Sequence, residues 1–295
     1  MGNACAALAR CELERCLRAP DDAIDVVEAS MFIALEDDPE LDIAGCRARL
    51  AALCDGGRRA VLGRTADADP RGAIAALNGF LFDEQGFRGN EGDYYDPRNS
   101  YINEVLARGT GIPITLSVIY MAVARAAAMP MVGIGLPGHF IVRTAAGPPV
   151  YVDPYNRGAI LTLPECERIA RTFLGNRRAP VAPFLAPVAP RRILARMLTN
   201  LKGIYLKAGD DGKAAATLEK LMLVDGSLAI EERDLGLLYL RQRRFPQGYA
   251  RLRHYVATPA TGAMRKDQDE IERVLHVVAD LAFPVDRYAG PLRDA

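Results

Sequence analysis

Gly135-Leu136-Pro137-Gly138-His139-Phe140-Ile141-Val142-Arg143, followed by Tyr151-Val152-Asp153-Pro154, reads as two short apolar strands that each carry one ionisable group. His139 is the only histidine before position 254. On adjacent strands the two side chains can hydrogen-bond, with the carboxylate orienting the ring. That is the base half of a nucleophile–His–Asp triad. The nucleophile belongs at the start of an upstream helix, where the dipole and free amides favour a thiolate. A helix is expected there. Gly109-Thr110-Gly111-Ile112-Pro113 turns into a long apolar run over 113–128, with proline at the first position, where no intrahelical N–H is needed. No cysteine stands at its start.

Strands are expected near 131–135, 140–144 and 150–152, with Ala145-Ala146-Gly147-Pro148-Pro149 as a hairpin turn. Upstream lies a polar, aromatic loop containing Arg88, Asn90, Tyr94, Tyr95, Arg98, Asn99 and Ser100, in which Asn99 or Ser100 caps a short helix over 101–107. The region up to about Asn78 is rich in alanine and leucine at helical spacing. Val27, Met31, Ala34 and Leu35 form one stripe of a helix stopped by Asp37-Asp38-Pro39. A second helix spans about 42–53 and is expected to end at Asp55-Gly56-Gly57. A third starts at Asp69-Pro70, cap plus first-turn proline, and Leu163-Pro164-Glu165-Cys166 opens another.

From Arg177 to Pro190 the chain reads as a linker: four prolines in eleven residues exclude a helix and favour a semi-rigid extended segment. Beyond it a pattern repeats. Leu201, Tyr205, Ala214, Leu218 and Leu221 recur 34 residues later as Leu235, Tyr239, Gly248, Leu252 and Tyr255. That is the period of the tetratricopeptide helix–turn–helix repeat, with 267–281 as a closing helix. Lys202, Arg241 and Arg244 fall beside its concave face, a candidate partner surface.

Composition bounds the rest. Half of the 295 residues are hydrophobic, enough for about two domains with proper cores. Lys+Arg and Asp+Glu are equal at 37 each, so no global charge suggests nucleic acid or an acidic tail. No apolar run reaches the length of a membrane span. Residues 1–20 carry Arg10, Glu12, Glu14, Arg15 and Arg18 and do not read as a signal peptide, and Ala6 departs from the N-acylation pattern suggested by Met1-Gly2-Asn3-Ala4-Cys5. The expectation is a cytoplasmic protein. Cys5, Cys11, Cys16, Cys46, Cys54 and Cys166 show no metal-ligand spacing, so neither a metal site nor a cofactor is expected.

The segment 78–156, together with the repeats, resembles the SirB-type family of bacterial proteins, which join a transglutaminase-like core to C-terminal tetratricopeptide repeats; a related core occurs in a eukaryotic F-box protein. F-R-G-N at 87–90, D-P-R-N-S at 96–100, G-I-P-I-T-L-S at 111–117, G-L-P-G-H-F at 135–140 and V-D-P-Y-N at 152–156 carry the resemblance. It implies an α+β, papain-like core with a helical N-terminal part over 1–178, the proline-rich linker over 179–190, and an all-α tetratricopeptide-type stack over 191–295. Working transglutaminase-like enzymes carry Gly-x-Cys at the helix start, then a histidine strand, then an aspartate strand. His139 and Asp153 match the last two, whereas Gly111-Ile112-Pro113 puts a proline at or beside the cysteine position.

Two functions follow. In one, the protein is a non-catalytic, transglutaminase-like binding or regulatory module. A protein or peptide partner is held by the repeats and by a groove lined by His139, the polar loop residues and Asn156. In the other it is a hydrolase or acyl-transferase in which His139 is the base, Asp153 orients it, and Thr115, Ser117 or Cys166 supplies an unorthodox nucleophile. Hydroxyls in the first turns of a helix more often cap it. Composition and pattern leave the oligomeric state open.

Overall fold

The computed structural model describes residues 2–62, 70–174 and 180–282, and the chain divides into two units, Met1–Asn200 and Leu201–Ala295. In the first unit, helices α1 (Gly2–Leu17), α2 (Val26–Asp37), α3 (Ile43–Val61) and α4 (Pro70–Asn78) come before any strand. Asp25 starts α2 by accepting the amide of Glu28 at 3.0 Å, and Asp42 starts α3 by accepting that of Gly45 at 2.9 Å. The cap expected at Asp69 lies outside the described residues.

The stripe read from α2, Val27, Met31, Ala34 and Leu35, is buried. Helix α3 corrects one expectation: it runs through Gly56-Gly57 instead of ending there. Both glycines serve packing. A Cβ on Gly57 would lie 2.3 Å from Val123 Cγ1, and one on Gly56 would lie 2.2 Å from Phe80 Cζ. Gly57 lets α3 lie directly against the helix that carries the site and Gly56 admits the Phe80 ring, which offsets glycine's poor helix propensity.

After α4 a wide π-type turn, Gly79–Glu84, buries Phe80, Leu81 and Phe82. Strand β1 (Arg88–Gly89) pairs in parallel with β2 (Thr110–Gly111), and α5 (Ile102–Arg108) lies between them in sequence. Helix α6 (Pro113–Ala126) then passes through the core, with every residue from Pro113 to Tyr120 buried. Over that stretch the helix is covered on every side, while its last turn reaches the surface at Arg125. Helices α2, α3 and α5 and strands β3 and β4 do the covering.

Strands β3 (Met131–Ile134), β4 (Ile141–Thr144), β5 (Tyr151–Asp153) and β6 (Ala159–Leu161) form one antiparallel sheet in that order, and α7 (Leu163–Phe173) follows. The first three match the expected strands. β6, a three-residue strand directly after the left-handed Arg157-Gly158 turn, is too short to carry a period.

The proline-rich segment is not a free strut where it is described. It makes a short 3-10 turn, Ala182–Leu185, then adds to the outer edge of β3, with Val188 N–H donating to Gly133 O at 2.9 Å. Residues 175–179, including Arg177 and Arg178 of the expected linker, lie outside the described residues. Helix α8 (Pro190–Ala208) starts at the last of the four prolines, and Ile193 and Met197 enter the same core as α6.

The second unit contains α9 (Asp211–Val224), α10 (Ala229–Arg241), α11 (Phe245–Ala257) and α12 (Gly262–Ala282), each packed on the next. All ten residues of the 34-residue pattern are buried. Gly236 and Gly248 make room for Leu252 and Leu240, 2.7 and 2.6 Å from where a Cβ would sit. The three cations expected on a partner face are engaged within the unit. Lys202 pairs with Glu231 and Asp234, Arg241 with Asp211, and Arg244 with Glu219 while lying over the Tyr239 ring.

Gly57→Val should destabilise the protein by about 1–3 kcal/mol through overpacking against Val123, read as a lower urea midpoint. An unchanged midpoint would mean that α3 and α6 are not in this close contact.

Candidate functional site: a His–Asp pair facing a helix start

Strands β4 and β5 pair Val142 with Val152 and Arg143 with Tyr151. That register brings the turn before β4 beside the end of β5. Gly138, in the left-handed region at φ +66°, makes the turn, and a Cβ there would also strike the Phe173 ring at 2.3 Å. His139 follows it. Its Nε2 lies 2.7 Å from Asp153 Oδ2, with the aspartate side chain 1% exposed and the histidine 12%.

Asp153 is held from several directions. Oδ1 accepts the amides of Tyr155 (3.1 Å) and Asn156 (3.3 Å), and Oδ2 also accepts Asn156 Nδ2 at 2.7 Å. The proline at 154 commits the chain to the 3-10 turn that presents those amides. With Nε2 engaged by the carboxylate, the ring carries its proton there when neutral, leaving Nδ1 as the second face. Nδ1 has no hydrogen-bond partner among the described residues.

The ring opens onto a cleft of about 220 Å³ that Pro113 and Ile114, at the start of α6, line with it. Tyr94, Phe140, Arg196 and Asn200 complete the wall with Gly138. A prolyl ring therefore stands at the helix start that faces the imidazole.

The other nucleophile candidates are committed elsewhere. Thr115 Oγ1 donates to Asn99 O at 2.8 Å and accepts the Ile112 amide at 3.1 Å, so it braces the entry to α6. Ser117 Oγ donates to Phe140 O at 3.4 Å, and both hydroxyls are fully buried. Cys166 packs among Ile134, Leu136 and Ile141, and burial pushes its thiol up to about 11. None of the three lines the cleft.

Of the polar loop residues, Tyr94 reaches the cleft and the rest do not. Asn99 is fully buried and organises the loop. Its Nδ2 donates to Asp93 O at 2.7 Å, and its Oδ1 accepts from Asn90 Nδ2 and Arg108 Nη2. Arg98 binds Asp96. Burial alone would raise the Asp96 carboxyl, but the hydrogen bonds from Arg98 and the charge of Arg108 win and hold it below its ordinary value. Ser100 Oγ is buried without a partner among the described residues. Arg88 and Tyr95 stay at the surface, and Asn156 clamps Asp153 instead of facing the cleft.

Three contributors were missed in the sequence. Tyr155 stands edge-on between Tyr94 and His139, with ring centroids 6.3 and 6.0 Å away, and donates its hydroxyl to Asn90 O. Asn78 ties Gly158 O to the Tyr120 hydroxyl, locking the turn after Asp153 onto α6. Arg196 comes from α8, far along the chain. Tyr155 and Asn78 sat inside or beside the quoted motifs, but no local spacing pointed to Arg196. Among the described residues no group of three or more His, Cys, Asp or Glu could hold a metal ion, and no helix is long and apolar enough to cross a membrane.

A family model for the transglutaminase-like superfamily matches residues 45–199, more than half of the chain, and the chain belongs to that superfamily. The match ends one residue before the boundary of the first unit. Among similar proteins, a UPF0162 protein of Xylella fastidiosa (strain Temecula1) is 39% identical over 173 residues, 57% of this chain and 61% of that one. A UPF0162 protein of Vibrio cholerae is 25% identical over 224 residues, 74% and 80% of the two chains. Mouse F-box only protein 21 is 31% identical over 181 residues, 58% of this chain and 27% of its own. The chain thus spans about 61% of the length of the Xylella relative it matches. No solved structure matches.

Asp153→Ala should cost roughly 3–5 kcal/mol, because it removes a buried acceptor shared by four donors. His139→Ala should cost less, since Asp153 keeps its amides. Urea unfolding of the two variants checks the order, and the reverse order would mean that the aspartate does not organise the site. Iodoacetamide at pH 8 should label exposed Cys11 and spare Cys166 until the protein unfolds. Fast labelling of Cys166 in the native state would return it to the list of nucleophiles.

Proposed function

We propose that this chain is a non-catalytic member of its superfamily, a binding or regulatory module. Its His139 cleft receives a protein or peptide segment, and its helical unit, in the manner of a short tetratricopeptide stack, docks a protein partner. A single observation carries the reading: Pro113 lines the cleft with His139 at the start of α6, where a thiol nucleophile would have to stand. Proline has no hydrogen on its nitrogen and no nucleophilic side chain. The hydroxyls and the thiol that could replace it are buried in other contacts, which supports the same conclusion. The intact His139–Asp153 pair is then read as scaffold and binding surface rather than as a general base.

A panel of dye-releasing amide and ester substrates tests this with the wild-type chain and His139→Ala. Turnover by the two proteins should be indistinguishable from the buffer rate. Turnover present in the wild type and lost in His139→Ala would overturn the reading in favour of a hydrolase or acyl-transferase. Pro113→Cys adds a positive control. A thiol at this helix start should react with iodoacetamide faster than in the Pro113→Cys, His139→Ala double variant, because the imidazole faces it.

A further inference from the structure

Neither the His–Asp pair nor the polar loop accounts for Arg196. Its guanidinium is largely buried. Nη2 donates to Leu136 O at 2.8 Å and to His139 O at 2.6 Å, and the group lies 5.4 Å from the centre of the Phe140 ring. Those contacts hold the turn that presents His139. They leave Nε and Nη1 without a hydrogen bond, and no carboxylate lies within ion-pairing distance among the described residues. Burial lowers its proton affinity, yet a guanidinium stays charged at any physiological pH. Three of its five N–H groups are thus left without a protein acceptor among the described residues, on a charge only partly open to water, so they are available to an anion in the cleft.

The rest of the cleft has the same character. Asn200 and the Tyr94 hydroxyl line it and make no side-chain hydrogen bond among the described residues, and Ile114 presents a first-turn amide with no intrahelical acceptor. No acidic side chain lines it: Asp153 is buried behind His139 with its oxygens already in use. Free donors and one positive charge, without a fixed anion, make a receptor for an oxygen anion. One cation in about 220 Å³ matches a monoanion of modest size better than a dianionic phosphate.

We propose that the His139 cleft binds a carboxylate, with Arg196 as its counter-charge and Tyr94, Asn200 and the first turn of α6 as further donors. The carboxylate is either the end of a peptide or a free small acid. This rests on the binding reading given above, and it names the chemical group that the cleft recognises.

The test follows the ring resonances of His139 in the full chain by NMR, with N-acetyl-diglycine, its C-terminal amide, acetate and inorganic phosphate as probes at constant ionic strength. N-acetyl-diglycine should give saturable shifts, and the neutral amide should give none. Arg196→Met should weaken that binding by about tenfold or more, while Arg196→Lys keeps part of it. Tyr94→Phe and Asn200→Leu leave the Leu136 and His139 carbonyl contacts intact, and each should weaken binding if Arg196→Met acts through the ligand and not through a disturbed turn. Acetate binding as tightly as the peptide supports a free acid, and a clear preference for the peptide supports a chain terminus. Equal binding of the amide, tighter binding of phosphate, no saturable shift, or binding indifferent to Arg196, Tyr94 and Asn200 would each overturn the proposal. Carboxylate binding alongside His139-dependent turnover would sink only the non-catalytic reading, and an absence of both would sink only this one.

Discussion

The carboxylate of Asp153 is withdrawn from water, and everything at the site is arranged to make that tolerable. A buried carboxylate is stable only when donors surround it. Here they come from the imidazole of His139, two amides of the turn that follows, and the side chain of Asn156. Satisfying one charge therefore sets the orientation of the imidazole, the shape of the 154–156 turn and the joining of β4 to β5. Tyr155 and Asn78 extend the same order outward, to the loop at Asn90 and to Tyr120 on α6.

The second constraint is the close approach of helices around α6. Because residues 113–120 of this helix are buried, its first turn is reached through the cleft that Pro113 and Ile114 line, and what stands at that turn decides the chemistry available. A proline there removes both an amide and any nucleophile, while Thr115, two residues on in the same turn, spends its hydroxyl on Asn99 and on its own helix entry. The imidazole faces an apolar ring, a tyrosine and an arginine. That lining is what the non-catalytic reading proposed above rests on.

Much of this was legible in local patterns. The stripe of α2, the proline at the start of α6 and the two ionisable strands all follow from short-range periodicity and turn chemistry. Errors arose where packing overrules a local signal. Gly56-Gly57 has the spelling of a helix stop, but it is where α3 admits the Phe80 ring and touches α6. The proline-rich segment reads as a spacer, and where described it hydrogen-bonds to the edge of β3. Arg88, Arg98 and Asn99 read as ligand-binding because loops rich in donors resemble sites, whereas the last two spend those donors on the loop itself.

Sequence alone determined most of the helices and three of the strands, the histidine–aspartate spacing and the absence of a thiol at the helix start, because each depends on residues near one another along the chain. Membership of the cleft was decided only in three dimensions. Arg196 and Asn200 reach it from a helix that starts more than thirty residues after Asp153, while Asn156, adjacent to the motif, turns inward to serve the carboxylate. Long-range packing sets which side chains share a cavity and which are consumed by neighbours, and no spacing along the chain encodes it.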